Sequence, residues 1–158
     1  MVHFKTFHLF AGAGGGILGD TLLGHTPIGA IEIEKYPREV LLARQADGLF
    51  PQFPIWDDVR TFRSDNPECG EYINRLKSIR EELIICGGFP CQDISAAGKG
   101  VGITGEKSGL WKEFARIISE VRPCLTFVEN SPMLTSRGLG TVLGDLAEIG
   151  YNAEWCVL

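Results

Sequence analysis

Short apolar and β-branched runs alternate with stretches of helical period along the chain, and this alternation constrains the fold more than any other feature. "KTFHLF" (5–10), "PIGAIEI" (27–33), "IWDDV" (55–59), "LIIC" (83–86), "LTFVEN" (125–130) and "AEWCVL" (153–158) read as six strands. Between them "ILGDTLLG" (17–24), "PREVLLARQ" (37–45), a segment near 69–82 and "GLWKEFARIISEV" (109–121) read as helices. A further helix is marked by Leu139, Val142, Leu143, Leu146 and Ile149 and stops at Gly150. Strand–helix alternation of this kind predicts an α/β fold, a mostly parallel sheet covered by helices on both faces. Residues 87–108 hold six glycines and no hydrophobic period, so they read as one long loop. Loops of that length inside compact domains usually carry function. The sheet is expected to be truncated after strand six, where the chain ends without a closing element.

Composition narrows the class. At 158 residues and 44% hydrophobic content, the chain suits one core and one domain spanning 1–158. No apolar run reaches the roughly 18 residues of a membrane-spanning helix, and the start lacks a signal peptide, so a cytoplasmic protein without a membrane partner is expected. Cys69, Cys86, Cys91, Cys124 and Cys156 are odd in number, and no two form a CxxC pair. Neither a disulfide framework nor a metal site is expected from them. A net charge of −5 argues against a chain that clamps nucleic acid over its whole surface. Residues 99–122, with five Lys/Arg against three Glu, leave room for a local phosphate-facing surface.

Three constellations carry chemistry. "LFAGAGGG" (9–16) follows the first strand, where glycines allow a sharp turn and close approach of a ligand to the backbone. Glu32 lies 20 residues beyond Gly12, the spacing at which an acidic side chain meets a ribose diol in nucleotide-binding α/β folds. The turn is neither GxGxxG nor a GK[ST] phosphate loop, and a purely structural turn remains the alternative. Asp58, after strand three, adds a carboxylate where an adenine amino group could be read. "GGFPCQDIS" (87–95) follows strand four, placing Cys91 at the sheet's carboxyl edge in a shaped loop. Cys86, Cys124 and Cys156 fall in apparent strands, the setting of buried and inert thiols. "FVENSP" (127–132) ends strand five on Glu129 and Asn130, a pair that could hydrogen-bond a ring nitrogen or form a turn.

Taken in this order and spacing, "FAGAGG", "GGFPCQDIS" and "FVEN" resemble the N-terminal catalytic portion of a cytosine-C5 DNA methyltransferase. Glu32, Asp58 and "KSGLW" (107–111) extend the resemblance over essentially the whole chain. It implies a Rossmann-like adenosylmethionine-dependent methyltransferase sheet and S-adenosylmethionine as methyl donor. Phe10 would pack on that cofactor, Gly12 and Gly14 line it, Glu32 hold its ribose and Asp58 meet its adenine. Ala11, Gly15, Ile33, Val59 and Leu110 would complete the cofactor-binding set.

The resemblance also implies double-stranded DNA as substrate, with the target cytosine flipped out. Cys91 would add to carbon 6, flanked by Pro90 and Gln92, while Glu129 and Asn130 serve the base. Such enzymes belong to restriction-modification systems, which implies a bacterial or phage-encoded protein. The family's arginine-bearing segment, target-recognition region and returning helix have no counterpart in the sequence, which leaves open a split enzyme completed by a second chain, a decayed gene or a shortened piece of a longer enzyme. An inactive adenosylmethionine-binding remnant or partner subunit is the competing reading. A dinucleotide oxidoreductase gives Cys91 and Glu129 no joint task.

Overall fold

A computed structural model describes residues 3–90 and 110–157. Five strands form one sheet: β1 (Lys5–Leu9), β2 (Thr26–Ile31), β3 (Ile55–Trp56), β4 (Leu83–Gly88) and β5 (Leu125–Glu129). Their order is β3-β2-β1-β4-β5, and β1 pairs in parallel with both β2 and β4, as β2 does with β3. The helices are α1 (Gly15–Leu22), α2 (Lys35–Ala46), α3 (Gly70–Ser78), α4 (Trp111–Val121), α5 (Leu134–Arg137) and α6 (Leu139–Ile149). No helix among the described residues is long and apolar enough to cross a membrane.

The chain divides into two compact units. The first comprises residues 1–88 and 121–128. β1 is its centre: Thr6 through Leu9 are all buried, as a strand covered on both faces requires. Ile17 of α1, Ala30 of β2, Leu41 of α2, Phe50 and Phe53 form one apolar cluster, with Ala11 and Ile55 against it. A separate aromatic group forms around Phe7, whose ring stacks on Phe62 at 5.3 Å, with Tyr72 edge-on to Phe62 at 6.4 Å. Strand order reverses about β1, where β2 lies on one side and β4 on the other. Crevices at the carboxyl ends of strands at such a point are where open α/β sheets hold ligands.

The second unit comprises residues 89–120 and 129–158. α4 buries Trp111, Phe114, Ala115, Ile117 and Ile118 at helical spacing. Its outer face carries Arg116, bonded to Glu113 at 2.7 Å and Glu120 at 3.1 Å. This pairing occupies one of the cations expected to face phosphate; residues 99–109 lie outside the described residues. The Trp111 indole N–H donates to Asp145 of α6 at 2.7 Å, tying the two helices together.

Helix and strand positions agree with the sequence reading to within three residues, except that the helix read near 69–82 ends at Ser78 with a separate 3-10 turn at Arg80–Glu82; two further differences stand out. Residues 134–137 form an extra short helix. The expected sixth strand does not form among the described residues: 151–157 hold no regular element, and the described sheet ends at β5. A β-prone segment becomes a strand only when a neighbour supplies the ladder's hydrogen bonds, and none of the described strands does so here. Cys156 is accordingly exposed rather than buried. Leu125 and Phe127 of β5 also stay exposed, at 51% and 64%.

Candidate active site

β1 ends on Leu9, and the next residues turn at once. Phe10 has φ 55 and Gly12 φ 54, both in the left-handed region, and Gly14 has φ 91 as the cap of α1. An aromatic residue held at positive φ is a local strain, of the kind that concentrates at ligand sites. The two glycines serve different ends. A Cβ on Gly14 would lie 2.8 Å from Leu41 Cδ2 and Phe50 Cε2, so close core packing demands glycine there. A Cβ on Gly12 or Gly15 would meet nothing within 4 Å, so that side of the turn is open space.

Glu32, one residue beyond β2, is only 7% exposed. Its Oε2 accepts the Gly12 N–H at 2.7 Å and its Oε1 accepts the Glu34 N–H at 2.8 Å. One carboxylate therefore fastens the turn after β1 to the turn after β2, through charge-assisted bonds. The Ala11 N–H to Ile31 carbonyl bond, 3.0 Å, reinforces the same junction. Ile33 beside it is 54% exposed, an apolar side chain turned to solvent next to a buried acid.

Asp58 is engaged by its own neighbour. Arg60 Nε donates to Oδ1 at 2.9 Å and Nη2 to Oδ2 at 2.8 Å, a two-pronged pair. The side-chain bonds from Arg60 hold the Asp58 carboxyl below its ordinary value against the opposing effect of burial. Val59 is buried at 5%. The sequence reading passed over Arg60 as a partner, although it stands only two residues away. It also missed Arg38, whose Nη1 donates to the Glu32 carbonyl at 3.0 Å and to the Ile33 carbonyl. Arg38, Ile55, Trp56, Asp57, Thr61, Asn66 and Glu68 line an open depression of about 550 Å³. None of the sequence-predicted residues lines it; it adjoins them through Arg38 and through Trp56, whose carbonyl accepts the Glu32 N–H at 2.9 Å.

In the second unit, the segment leading to Cys91 is anchored. Phe89 is 2% exposed and its ring lies 5.5 Å from that of Trp111. The Asn130 side-chain Nδ2 donates to the Phe89 carbonyl at 2.9 Å, and its Oδ1 accepts the Ser131 N–H at 2.8 Å. Both ends of the Asn130 amide are used, so its orientation is fixed. Pro90 and Leu110 are half-buried, and Glu129 is exposed at the end of β5. Cys91 and Gln92 lie outside the described residues. Of the other thiols, burial pushes Cys86 up to about 12, and burial also raises Cys124. Neither is a thiolate at neutral pH, in line with inert roles.

Comparison with known proteins follows the same lines. The family profile for C-5 cytosine-specific DNA methylases matches residues 4–158. The Type II methyltransferase M.CviJI of Paramecium bursaria Chlorella virus IL3A is 32% identical over 157 residues, covering 96% of this chain and 37% of the relative. The Type II methyltransferase M.Sau96I of Staphylococcus aureus is 31% identical over 160 residues, covering 98% and 34%. A DNA modification methyltransferase encoded within an E. coli prophage superposes with TM-score 0.65 at 22% identity, over 93% of this chain and 37% of that one. That likeness shows the Rossmann-like methyltransferase fold. The chain spans little more than a third of the length of these relatives.

Proposed function

The chain belongs to the C-5 cytosine-specific DNA methylase family, and on that premise we propose that it carries the methyl-transfer chemistry of such an enzyme. The substrate is a cytosine in double-stranded DNA and the methyl donor is S-adenosylmethionine. The observation that carries the reading is the bond from Asn130 to the Phe89 carbonyl. It ties the Glu129–Asn130 pair to the backbone two residues before Cys91, so that acid and thiol segment share one anchor.

The residues of the glycine turn fit the donor. Gly12 and Gly15 leave open space, Glu32 offers a buried carboxylate and Ile33 an exposed apolar side chain. Phe10, Ala11 and Val59 complete that set, while Gly14 lets the turn pack against Leu41 and Phe50. Asp58 would meet the adenine by sharing its carboxylate with Arg60. The donor, when bound, supplies an electrophilic methyl group on its sulfonium sulfur.

The chain's own residues prepare the base. Cys91 as thiolate attacks carbon 6 of the flipped cytosine, and the electron pair of the 5,6 double bond moves to carbon 5. Glu129 hydrogen-bonds ring N3 and the exocyclic amine, stabilising the charge that this attack places on the ring. Pro90 and Gln92 flank the thiol in sequence, and Asn130 anchors the approach to it through the Phe89 carbonyl. Once carbon 5 carries the methyl group, loss of its proton restores the double bond, and the sulfur–carbon bond breaks to return the thiolate.

Base reading and a second wall for the DNA belong to parts of such an enzyme outside the third or so of its length that this chain spans. The acidic net charge of −5 supports that division of labour. The protein acts in the cytoplasm of a bacterial or phage-infected host, within a restriction-modification system. To test this, duplex DNA and methyl-labelled S-adenosylmethionine are incubated with the chain, alone and with the C-terminal remainder of a relative in trans. Label at cytosine carbon 5 that disappears in Cys91→Ser supports the reading. Calorimetric binding of S-adenosylmethionine without transfer in either arm would instead favour a non-catalytic cofactor-binding subunit.

A further inference from the structure

In the first unit, three elements bring together side chains for which methyl transfer has no task. Thr6 and His8 stand two residues apart on β1 and so share one face of the sheet. Cys86 on β4 is the register partner of His8. Asp20 of α1 meets them from the helix, its Oδ2 2.7 Å from His8 Nε2. The His8 ring lies against the first turn of α1, where a Cβ on Gly16 would be 3.4 Å from Nδ1. Thr6, His8 and Cys86 are 0%, 4% and 8% exposed.

The nitrogen, oxygen and sulfur donors of His8, Asp20 and Cys86 all lie within 4.8 Å of one another. Around a tetrahedral zinc ion with bonds of about 2.0–2.3 Å, ligand atoms stand roughly 3.3–3.8 Å apart. Small side-chain adjustments span the difference. A second observation points the same way. Thr6 Oγ1 is buried without a hydrogen-bond partner among the described residues. The Thr6 hydroxyl lies close enough to the Asp20 carboxylate to help lower its pKa, so it faces the cluster. A buried His–Asp pair alone accounts for neither Thr6 nor Cys86, and an unpaired buried hydroxyl is costly. A nucleophilic Cys–His–Asp relay is ruled out, because a thiol 8% exposed offers a substrate no approach.

We propose that His8 Nε2, the Asp20 carboxylate and the Cys86 sulfur form a structural site for a borderline-soft divalent cation, zinc by ligand preference, with the Thr6 hydroxyl as the adjoining oxygen. The paired cysteines sought in the sequence are not needed, because the donors come from three separate elements. On binding, the metal replaces the His8–Asp20 hydrogen bond. Cys86 gives its thiol proton to solvent, and His8 coordinates as neutral imidazole with its proton on Nδ1. The ion would fasten β1 and β4 to α1, the helix that begins at the glycine turn.

The test uses the whole chain stripped of metal by a chelator and titrated with cobalt(II), then zinc(II). One equivalent of cobalt is expected to give a thiolate charge-transfer band and the intense visible bands of a four-coordinate ion, both erased by zinc. Zinc at about a hundred times its Kd multiplies the folded-to-unfolded ratio about a hundredfold, read as a raised unfolding midpoint. Cys86→Ser should lose the charge-transfer band and Cys91→Ser should keep it. Because Cys86 is a core residue, Asp20→Asn is the second variant: its side chain is 15% exposed, and it should keep native circular dichroism while losing the zinc-induced shift. A chain that binds no cobalt overturns the site, as does a band that survives both Cys86→Ser and Asp20→Asn or one that vanishes with Cys91→Ser.

Discussion

Replacing Gly12 and Gly14 separately by alanine should divide the glycine turn into a part that serves ligand binding and a part that serves the core. At Gly14, left-handed backbone costs a non-glycine residue roughly 1–2 kcal/mol. The new methyl would also stand 2.8 Å from Leu41 Cδ2 and Phe50 Cε2. Those side chains are 0% and 4% exposed and have little room to yield. Overpacking of this kind adds about 1–3 kcal/mol, for a combined loss of roughly 2–5 kcal/mol. For a domain of this size that lowers the melting temperature by about 5–15 °C. At Gly12 only the backbone penalty applies, because a Cβ there meets nothing within 4 Å. Gly12→Ala should therefore lose only about 1–2 kcal/mol of stability. Its methyl would enter the open space proposed for the donor, and S-adenosylmethionine affinity should fall at least tenfold, about 1.4 kcal/mol. Differential scanning fluorimetry and calorimetry on both variants make the comparison. Wild-type affinity in Gly12→Ala, or a wild-type melting temperature in Gly14→Ala, would refute the reasoning.

Three further outcomes are expected. Asn130→Ala removes the bond to the Phe89 carbonyl and should lower stability by about 1 kcal/mol, while slowing methyl transfer by a far larger factor, measured in the reconstituted reaction. Asp58 has a folded pKa depressed below its ordinary 3.8 by Arg60, so its contribution to stability is present above that value and lost as pH falls through the depressed one. Urea midpoints measured below about pH 4 should therefore fall less steeply in Asp58→Asn than in the wild type. Amides of residues 153–157 should exchange with deuterium early and those of Leu83–Cys86 late, because only the latter lie in a paired strand. Equal protection of the two segments in a monomeric chain would contradict the five-strand sheet.

Strand and helix positions were legible because apolar periodicity reports burial, and burial is what the sheet and its helices share. The glycine turn and Glu32 were legible for a related reason: their spacing follows from one strand–helix–strand unit. What lay hidden depended on neighbours. "AEWCVL" has the composition of a strand, yet pairing partners decide whether a strand forms. Asp58 reads from sequence as a carboxylate for an adenine amino group, because nothing in its residue type announces the Arg60 fork. Asn130 was singled out for its place beside Glu129, but its bond to Phe89 spans 41 residues and appears only once β4 and β5 are set side by side. The His8–Asp20–Cys86 grouping depends on the β1–β4 register and on the face of α1 that meets it, neither of which the one-dimensional pattern contains.

The central claim is that Cys91 is the nucleophile, and covalent trapping on 5-fluorocytosine DNA tests it most directly. Fluorine at carbon 5 cannot leave as a cation, so the reaction halts with the sulfur–carbon bond intact. The chain, supplied with S-adenosylmethionine and the remainder of a relative, is incubated with such a duplex, denatured and digested for mass spectrometry. The expected result is a methylated fluoropyrimidine adduct on the peptide containing Cys91, absent in Cys91→Ser and still formed in Cys86→Ser and Cys124→Ser. An adduct on another cysteine, or cytosine methylation that persists in Cys91→Ser, would contradict the account.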